Sequence, residues 1–69
     1  MRLKEVRQTQ NLTQQQLADI ITENGQNCSY RTIQNIENGK NYPSYKFLVA
    51  FYKAFPEYTV DEVFFDNLE

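Results

Sequence analysis

The chain has 69 residues, enough for one small domain near the lower limit of independent folding. It contains one cysteine and no histidine, so neither an internal disulfide nor the usual zinc cluster can stabilise it, and the core must come from the 41% of residues that are hydrophobic. The absence of an apolar run of about 18–20 residues excludes a membrane span. Without a secretory signal or paired cysteines, the chain is expected in the cytoplasm.

The net charge of −2 is distributed unevenly along the chain. Residues 1–46 carry six basic and four acidic side chains, whereas residues 47–69 carry one basic and five acidic side chains. A nucleic-acid-binding protein usually presents a basic surface. If this chain binds nucleic acid, the first two-thirds must therefore form the contact.

Helix signals recur along the chain and predict one all-α domain over residues 1–69. No strand-type alternation competes with the helical spacing of the apolar residues. The polar stretch 22–27, which contains Gly25, predicts a loop, and Pro56 predicts the end of a helix. The five predicted helices lie at about 2–10, 14–21, 30–38, 45–55 and 60–65.

Capping residues and apolar spacing define each predicted helix. Thr13 with Gln16 and Thr59 with Glu62 have the spacing of a capping box, and Gly39 is an expected residue after a helix end. The remaining predicted caps are two serines, Ser29 and Ser44. Apolar side chains that share one face of a helix form the predicted core: Leu3, Val6, Leu17, Ala18, Ile21, Ile33, Ile36, Leu48, Phe51, Tyr52, Phe55, Val60, Val63 and Phe64.

The third predicted helix has a polar face rich in amides. Opposite its buried seam, at about 100° per residue, lie Arg31, Gln34, Asn35 and Asn38, with Tyr30 at the helix start. Arginine fits the two acceptors of guanine, while asparagine and glutamine match the donor and acceptor of adenine. A merely solvated helix also has a polar face, but typically one that mixes glutamate and lysine. The amide bias therefore favours recognition of DNA bases.

The chain resembles the Xre/Cro-type, or lambda-repressor-like, helix-turn-helix family over nearly its whole length. The matching residues are Leu3, Val6-Arg7, Leu12-Thr13-Gln14, Leu17-Ala18, Ser29, Thr32-Ile33, Ile36-Glu37-Asn38-Gly39-Lys40, Pro43-Ser44, Leu48, Phe55 and Val60-Asp61-Glu62-Val63-Phe64. The resemblance implies a compact five-helix, all-α domain. It also implies sequence-specific binding of double-stranded DNA as a small bacterial or phage transcriptional regulator, a repressor.

The resemblance also implies a role for individual residues. The helix at 30–38 would be the recognition helix in the major groove, with base contacts from Tyr30, Arg31, Gln34 and Asn35. Phosphate contacts would come from Gln14, Ser29, Asn38, Lys40 and Tyr42. Arg7 and Glu37 match a family ion pair between the first helix and the end of the recognition helix. We expect this pair to be structural, because an unpaired charge beside the buried seam would be costly.

The spacing of the second and third helices departs from the family pattern. Eighteen residues separate Ala18 from Glu37, more than the family usually has, and the extra residues fall within 22–27. Added loop length costs little, so the two helices can keep their usual crossing. Alternatively, the longer turn tilts the recognition helix and changes its base contacts. Cys28, where the family usually has a small apolar residue, is expected to pack against the core.

The residue types exclude the common catalytic sites. Without histidine there is no Ser-His or Cys-His pair, and no usual metal cluster. Gly25 and Gly39 stand alone, so no glycine-rich phosphate loop exists. We therefore expect no enzyme activity, no cofactor and no bound metal.

A second function stays open on the sequence alone. The same fold can serve as a protein-interaction module, such as an antitoxin or a partner-docking regulator, and the low positive charge favours this. The amide-rich face opposes it, because docking helices usually expose apolar anchors. A hybrid would associate through Tyr58, Phe64 and Phe65, although simple core packing is favoured for Phe64. Since one recognition helix contacts few base pairs, a weak homodimer on a two-fold DNA site is predicted.

Overall fold

Five helices follow one another along the chain in the computed structural model, which describes residues 1–65. They are α1 (Leu3–Thr9), α2 (Gln14–Glu23), α3 (Tyr30–Glu37), α4 (Tyr45–Ala54) and α5 (Val60–Phe64). The predicted all-α class is confirmed. Among the described residues, no helix is long and apolar enough to cross a membrane. Asp66 and Glu69, two of the acidic residues counted above, lie outside the described residues.

Side-chain caps fix where the helices begin. The Thr13 hydroxyl accepts the Gln16 N–H at 3.0 Å, and the Gln16 side-chain oxygen accepts the Thr13 N–H at 2.8 Å. Thr59 and Glu62 form the same reciprocal pair at 3.1 and 2.8 Å. Both predicted capping boxes are therefore confirmed. The two predicted serine caps are also present, at Ser29 and Ser44.

A left-handed residue ends each of the first three helices. These residues have φ values of 59°, 110° and 78°, at Asn11, Gly25 and Gly39. At the end of α3, the Lys40 N–H donates to the Asn35 carbonyl at 2.9 Å and the Gly39 N–H donates to the Ile36 carbonyl at 3.1 Å. This pair of bonds is the Schellman motif, which needs a residue that tolerates positive φ. It ends α3 sharply and sets the direction of the connector that follows.

The core lies between the helices and is closed by aromatic contacts around α5. Phe64 packs edge-on against Phe47 and Phe51, with ring centroids 6.2 and 5.2 Å apart. It is buried, as the packing interpretation predicted. Among residues 1–65, thirteen apolar side chains form the buried cluster: Leu3, Val6, Leu17, Ala18, Ile21, Ile33, Ile36, Phe47, Ala50, Phe51, Phe55, Val63 and Phe64.

The predicted buried face of α4 was partly wrong. Phe51 and Phe55 are buried, but the neighbouring core positions are Phe47 and Ala50, whereas Tyr52 is 55% exposed. Leu48 and Val60, also predicted as core, are only partly buried. The cause lies in the composition of α4, which is apolar on almost every side. Helical spacing alone therefore cannot show which face of α4 is buried. In the structure, packing against the Phe64 ring determines that face.

The end of α2 also differs from the prediction. The helix continues through Glu23, so Thr22 and Glu23 are helical although they were predicted as loop. The Asn24 side chain donates to the Ile20 carbonyl at 2.8 Å, which also accepts the Asn24 backbone N–H at 3.1 Å. The connection between α2 and α3 is therefore residues 24–29. The ends of the other helices differ from prediction by one residue.

Candidate nucleic-acid interface

The four residues predicted to contact bases lie together on α3. Tyr30 is 46% exposed at the start of the helix, and Arg31 and Gln34 are exposed further along it. Asn35 is less accessible because its side chain is half-buried. Its backbone carbonyl accepts the N–H groups of Lys40 and Asn41. The exposed part of this surface is thus one phenol, one guanidinium and one amide, with the Asn35 amide at its edge.

The residues predicted to contact phosphates lie around the ends of this helix. Ser29 caps the start of α3, and Asn38 is the residue at which it ends. Lys40 and Tyr42 follow in the connector, where the Tyr42 side chain is 94% exposed. The arrangement places a hydroxyl group at the start of α3, and amide, ammonium and phenol groups at and after its end. Such donors position a protein on the phosphate backbone.

An ion pair joins α1 to the end of α3. The Arg7 Nε lies 2.7 Å from Glu37 Oε2, and the Arg7 Nη2 lies 3.2 Å from Glu37 Oε1. The Arg7 Nη1 also donates to the Leu12 carbonyl at 2.9 Å. The two charged side chains are only 11% and 3% exposed, so the pair is largely removed from water. A bidentate pair that is largely buried neutralises both charges and also fixes the orientation of α3 relative to α1.

Gln14 extends this network to α2. Its Nε2 donates to Glu37 Oε1 at 3.1 Å, and its side chain is half-buried. The predicted phosphate contact is therefore already partly engaged within the protein. What Gln14 offers to a phosphate is its backbone N–H in the first turn of α2, which is not used within a helix. One carboxylate, that of Glu37, thus links α1, α2 and α3.

Thr22 fastens the lengthened turn between α2 and α3. Its hydroxyl accepts the Cys28 N–H at 3.0 Å. The same oxygen lies 2.9 Å from the Ala18 carbonyl and 3.1 Å from the Cys28 carbonyl, either of which takes its proton. This role of Thr22 could not be predicted from the sequence, because a threonine near a helix end shows no sign of which distant backbone group it will meet. The turn is longer than usual, but Cys28, next to the Ser29 cap of α3, is held to α2.

Cys28 lies at the junction of the turn with α3. It is half-buried and packs against the core, which agrees with the predicted packing role. Burial raises the pKa of the Cys28 thiol above its ordinary value of 9.0. The thiol therefore stays protonated and weakly nucleophilic at neutral pH. Residues 26–28 also line a groove of about 290 Å³ with Tyr42, which places the lengthened turn beside the connector.

The positive charge on this surface is small. Arg31 and Lys40 are exposed, whereas the charge of Arg7 is neutralised by Glu37. Electrostatic attraction supplies most of the non-specific affinity of proteins for DNA. With so little exposed positive charge, this surface would need directed hydrogen bonds for affinity to DNA. Arginine and amide side chains provide such bonds. No cluster of metal-binding side chains is present among residues 1–65.

The fold and this surface define a DNA-binding helix-turn-helix domain, in which α2 and α3 are the paired helices. The helix-turn-helix family model matches residues 3–63. The chain therefore belongs to the helix-turn-helix family, of the Xre or lambda-repressor-like type. This is a family of DNA-binding regulatory domains that are typically not enzymes. No curated protein and no solved structure shows a significant match to the chain.

Proposed function

We propose that this protein is a transcriptional repressor that binds a specific double-stranded DNA site with α3 in the major groove. The observation that carries the proposal is the exposed face of α3, where Tyr30, Arg31 and Gln34 project from one short helix. A major groove about 12 Å wide admits such a helix, and each base pair presents a distinct pattern of donors and acceptors there. Arg31 would bind guanine, and Gln34 and Asn35 would bind adenine.

Phosphate contacts position the helix. Ser29 would meet the backbone at the start of α3, and the α2 N-terminus, Asn38, Lys40 and Tyr42 would meet it near the end of α3. These contacts carry no sequence information themselves, but they set the depth and angle at which base-contacting side chains arrive. The Glu37 network supports the same function, because it holds α3 against α1 and α2 before DNA binds.

A two-fold DNA site completes the proposal. One recognition helix contacts only a few base pairs, too few to single out one site in a genome. Two copies on half-sites one helical turn apart double the contact. We place the protein in the cytoplasm, as a bacterial or phage regulator, and infer repression because a dimer bound over a promoter would exclude the polymerase.

An affinity selection from a randomised duplex pool at about 100 mM salt tests this function. Wild type would be run beside Arg31→Ala and beside Lys4→Ala, a control that removes one exposed positive charge from α1. We expect a two-fold-symmetric motif from wild type and from Lys4→Ala, and a motif altered at particular bases from Arg31→Ala. No enrichment at any workable protein concentration would refute sequence-specific binding.

A second candidate function has one structural feature in its favour. The outer side of α4 exposes Tyr45 and Tyr52, which suits a protein partner better than DNA. A protein-interaction module, such as an antitoxin, would use that surface and would leave the α3 face unused. The same selection separates the two candidates, since only a DNA-binding protein enriches a motif that depends on Arg31.

A further inference from the structure

A groove runs along one side of α3, between the lengthened turn that precedes this helix and the connector that follows it. We call it the turn groove. It has a volume of about 290 Å³ and is lined by turn residues 26–28, by Thr32 and Ile36 of α3, and by the connector residues Asn41 and Tyr42. Residues at the start of α4 complete the lining. The lengthened turn thus supplies one wall of the groove.

Three amide side chains that line the turn groove are available to a ligand. Those of Gln26, Asn27 and Asn41 make no hydrogen bond to any of residues 1–65. Asn27 and Asn41 are exposed, and Gln26 is half-buried. Within the described part of the chain, no residue that lines the groove is charged. The groove therefore offers neutral hydrogen-bond donors and contains no carboxylate that would repel an anion.

The backbone that carries two of these amides is tied to α2. The Gln26 N–H donates to the Ile21 carbonyl at 3.3 Å, and the Thr22 hydroxyl accepts the Cys28 N–H at 3.0 Å. These two bonds lie on either side of Asn27 in the chain. Groups whose backbone is already ordered lose less conformational entropy when they bind. The long turn is therefore suited to presenting Gln26 and Asn27 at a defined position.

The turn groove adjoins the proposed base-contacting face of α3. At about 100° per residue, Thr32 lies about 60° from Asn35 and about 140° from Glu37 around the helix axis. The groove is therefore on the Asn35 side of α3, whereas Glu37, which is bound to Gln14 of α2, is on the other side. A helix in the major groove of DNA has the phosphate backbone of one strand on each side. The turn groove would face one of these two backbones.

We propose that the turn groove binds the sugar–phosphate backbone of one DNA strand, and that the Gln26 and Asn27 amides donate to its phosphate oxygens. This inference rests on the proposed function and adds to it a contact made by the lengthened turn, which departs from the family pattern. Asparagine and glutamine side chains are common phosphate contacts in protein–DNA complexes. They suit a surface with little exposed positive charge, because a hydrogen bond to a charged phosphate adds affinity without a second cation.

Equilibrium binding to the selected DNA site at several salt concentrations tests the contact. Gln26→Ala and Asn27→Ala should each raise the Kd by about fivefold to tenfold, and by the same factor on single-base variants of the site. The salt dependence should not change, because no cation is lost. Asn27→Asp keeps the size of the side chain but adds a negative charge, so it should weaken binding further. Gln8→Ala, at an exposed glutamine of α1, is the matched control and should bind as wild type does.

A methylphosphonate at single positions of the DNA site locates the contact, because it replaces one charged phosphate oxygen with a methyl group. At the phosphate that Asn27 contacts, this change should weaken binding of wild type but have little further effect on Asn27→Ala, since both changes remove the same bond. Lys40→Ala should couple to a different phosphate. Losses for Asn27→Ala and methylphosphonate that add at every position would overturn the proposed contact.

The outcomes separate this inference from the proposed function. If wild type selects a DNA motif but the Gln26 and Asn27 variants bind as wild type does, the function stands and the turn groove does not hold DNA. If wild type enriches no motif but Asn27→Ala weakens binding to arbitrary duplex DNA, the contact stands and sequence-specific recognition fails, because phosphate contacts do not depend on sequence. A urea titration checks the fold. Weaker DNA binding that is matched by a lower free energy of unfolding would show that the two amides support the turn instead, and would overturn the inference.

Discussion

The outer faces of α3 and α4 differ in chemistry although the two helices are built alike. Each follows a serine cap and buries a narrow apolar seam. Outside that seam, α3 exposes Arg31 and Gln34, whereas α4 exposes Tyr45 and Tyr52. The buried faces specify the fold, and the exposed faces distinguish a surface suited to base edges from one suited to a protein. Function in this domain is therefore encoded in the residues that the core does not need.

The two helices are also held in place by different forces. The end of α3 is fixed by directional contacts, with Glu37 bound to both Arg7 and Gln14. By contrast, α4 is held by packing of Phe47 and Phe51 against Phe64. Hydrogen bonds and ion pairs fix an angle, whereas apolar packing tolerates small adjustments. The proposed contact of α3 with base edges requires the first kind of support, because base-contacting side chains must arrive at a defined angle.

Replacement of Arg7 should have the largest effect on stability, because it removes the ion pair that fixes the end of α3. Arg7→Met leaves the Glu37 carboxylate buried without its cation, and we expect a loss of about 3 kcal/mol in the free energy of unfolding, measured with urea. Lys4→Met, a change of the same type at an exposed lysine of α1, should cost under about 0.5 kcal/mol. In the double variant Arg7→Met/Glu37→Gln much of the loss should return. Equal losses for Arg7→Met and Lys4→Met would show that the pair does not support α3.

Base and phosphate contacts should differ in how they weaken DNA binding. Arg31→Ala or Asn35→Ala should cost about 1–3 kcal/mol at particular base pairs and relax the preference there. Lys40→Ala should weaken binding to all sequences alike and reduce the salt dependence by about one counterion. Equilibrium binding to a panel of single-base variants of the selected site, at several salt concentrations, measures both effects. Uniform losses in all three variants would show that the recognition surface has been assigned wrongly.

The fold could be predicted largely because its signals are local. A capping box needs residues only three positions apart, so both boxes were predicted and both formed. The end of α3 at Gly39 was likewise predictable, since the left-handed turn favours glycine. The buried face of α4 was not, because Tyr52 and Phe51 are adjacent and both fit an apolar stripe. Only the position of the Phe64 ring, which depends on the tertiary fold, decides between them.

Less of the candidate site could be predicted. The family resemblance indicated both Arg7 and Glu37, and the contact between them is present in the structure. The engagement of Gln14 by the same carboxylate was not foreseen, because a sequence does not show which of two polar partners a side chain will prefer. The same holds for Thr22, whose bond to the Cys28 backbone joins residues six positions apart, across most of the connection between α2 and α3. Long-range polar contacts leave no periodic pattern to detect.

Removal of the Thr22 hydroxyl should have an intermediate effect and test whether the long turn supports α3. Thr22→Val keeps the shape of the side chain but leaves the Cys28 N–H without its partner, and we expect a loss of about 1 kcal/mol in the free energy of unfolding. Amide exchange at Cys28 should become faster. Thr9→Val, at an exposed threonine in the last turn of α1, is the matched control and should change neither quantity appreciably. Unchanged exchange at Cys28 in Thr22→Val would show that the turn is held by other contacts.

The smallest expected effect concerns the Cys28 thiol, at the point where the turn joins α3. Because burial raises its pKa above 9.0, the folded state favours the neutral thiol more than the unfolded state does. The resulting stabilisation is complete below the unfolded pKa and is lost as the pH rises through the folded pKa. The urea midpoint of wild type should therefore fall more than that of Cys28→Ala as the pH rises above 9.0. Tyrosines and lysines ionise in both proteins, so only the difference between the two curves of urea midpoint against pH reports on the thiol. Parallel curves for wild type and Cys28→Ala would mean that the surroundings of Cys28 solvate the thiolate as well as water does.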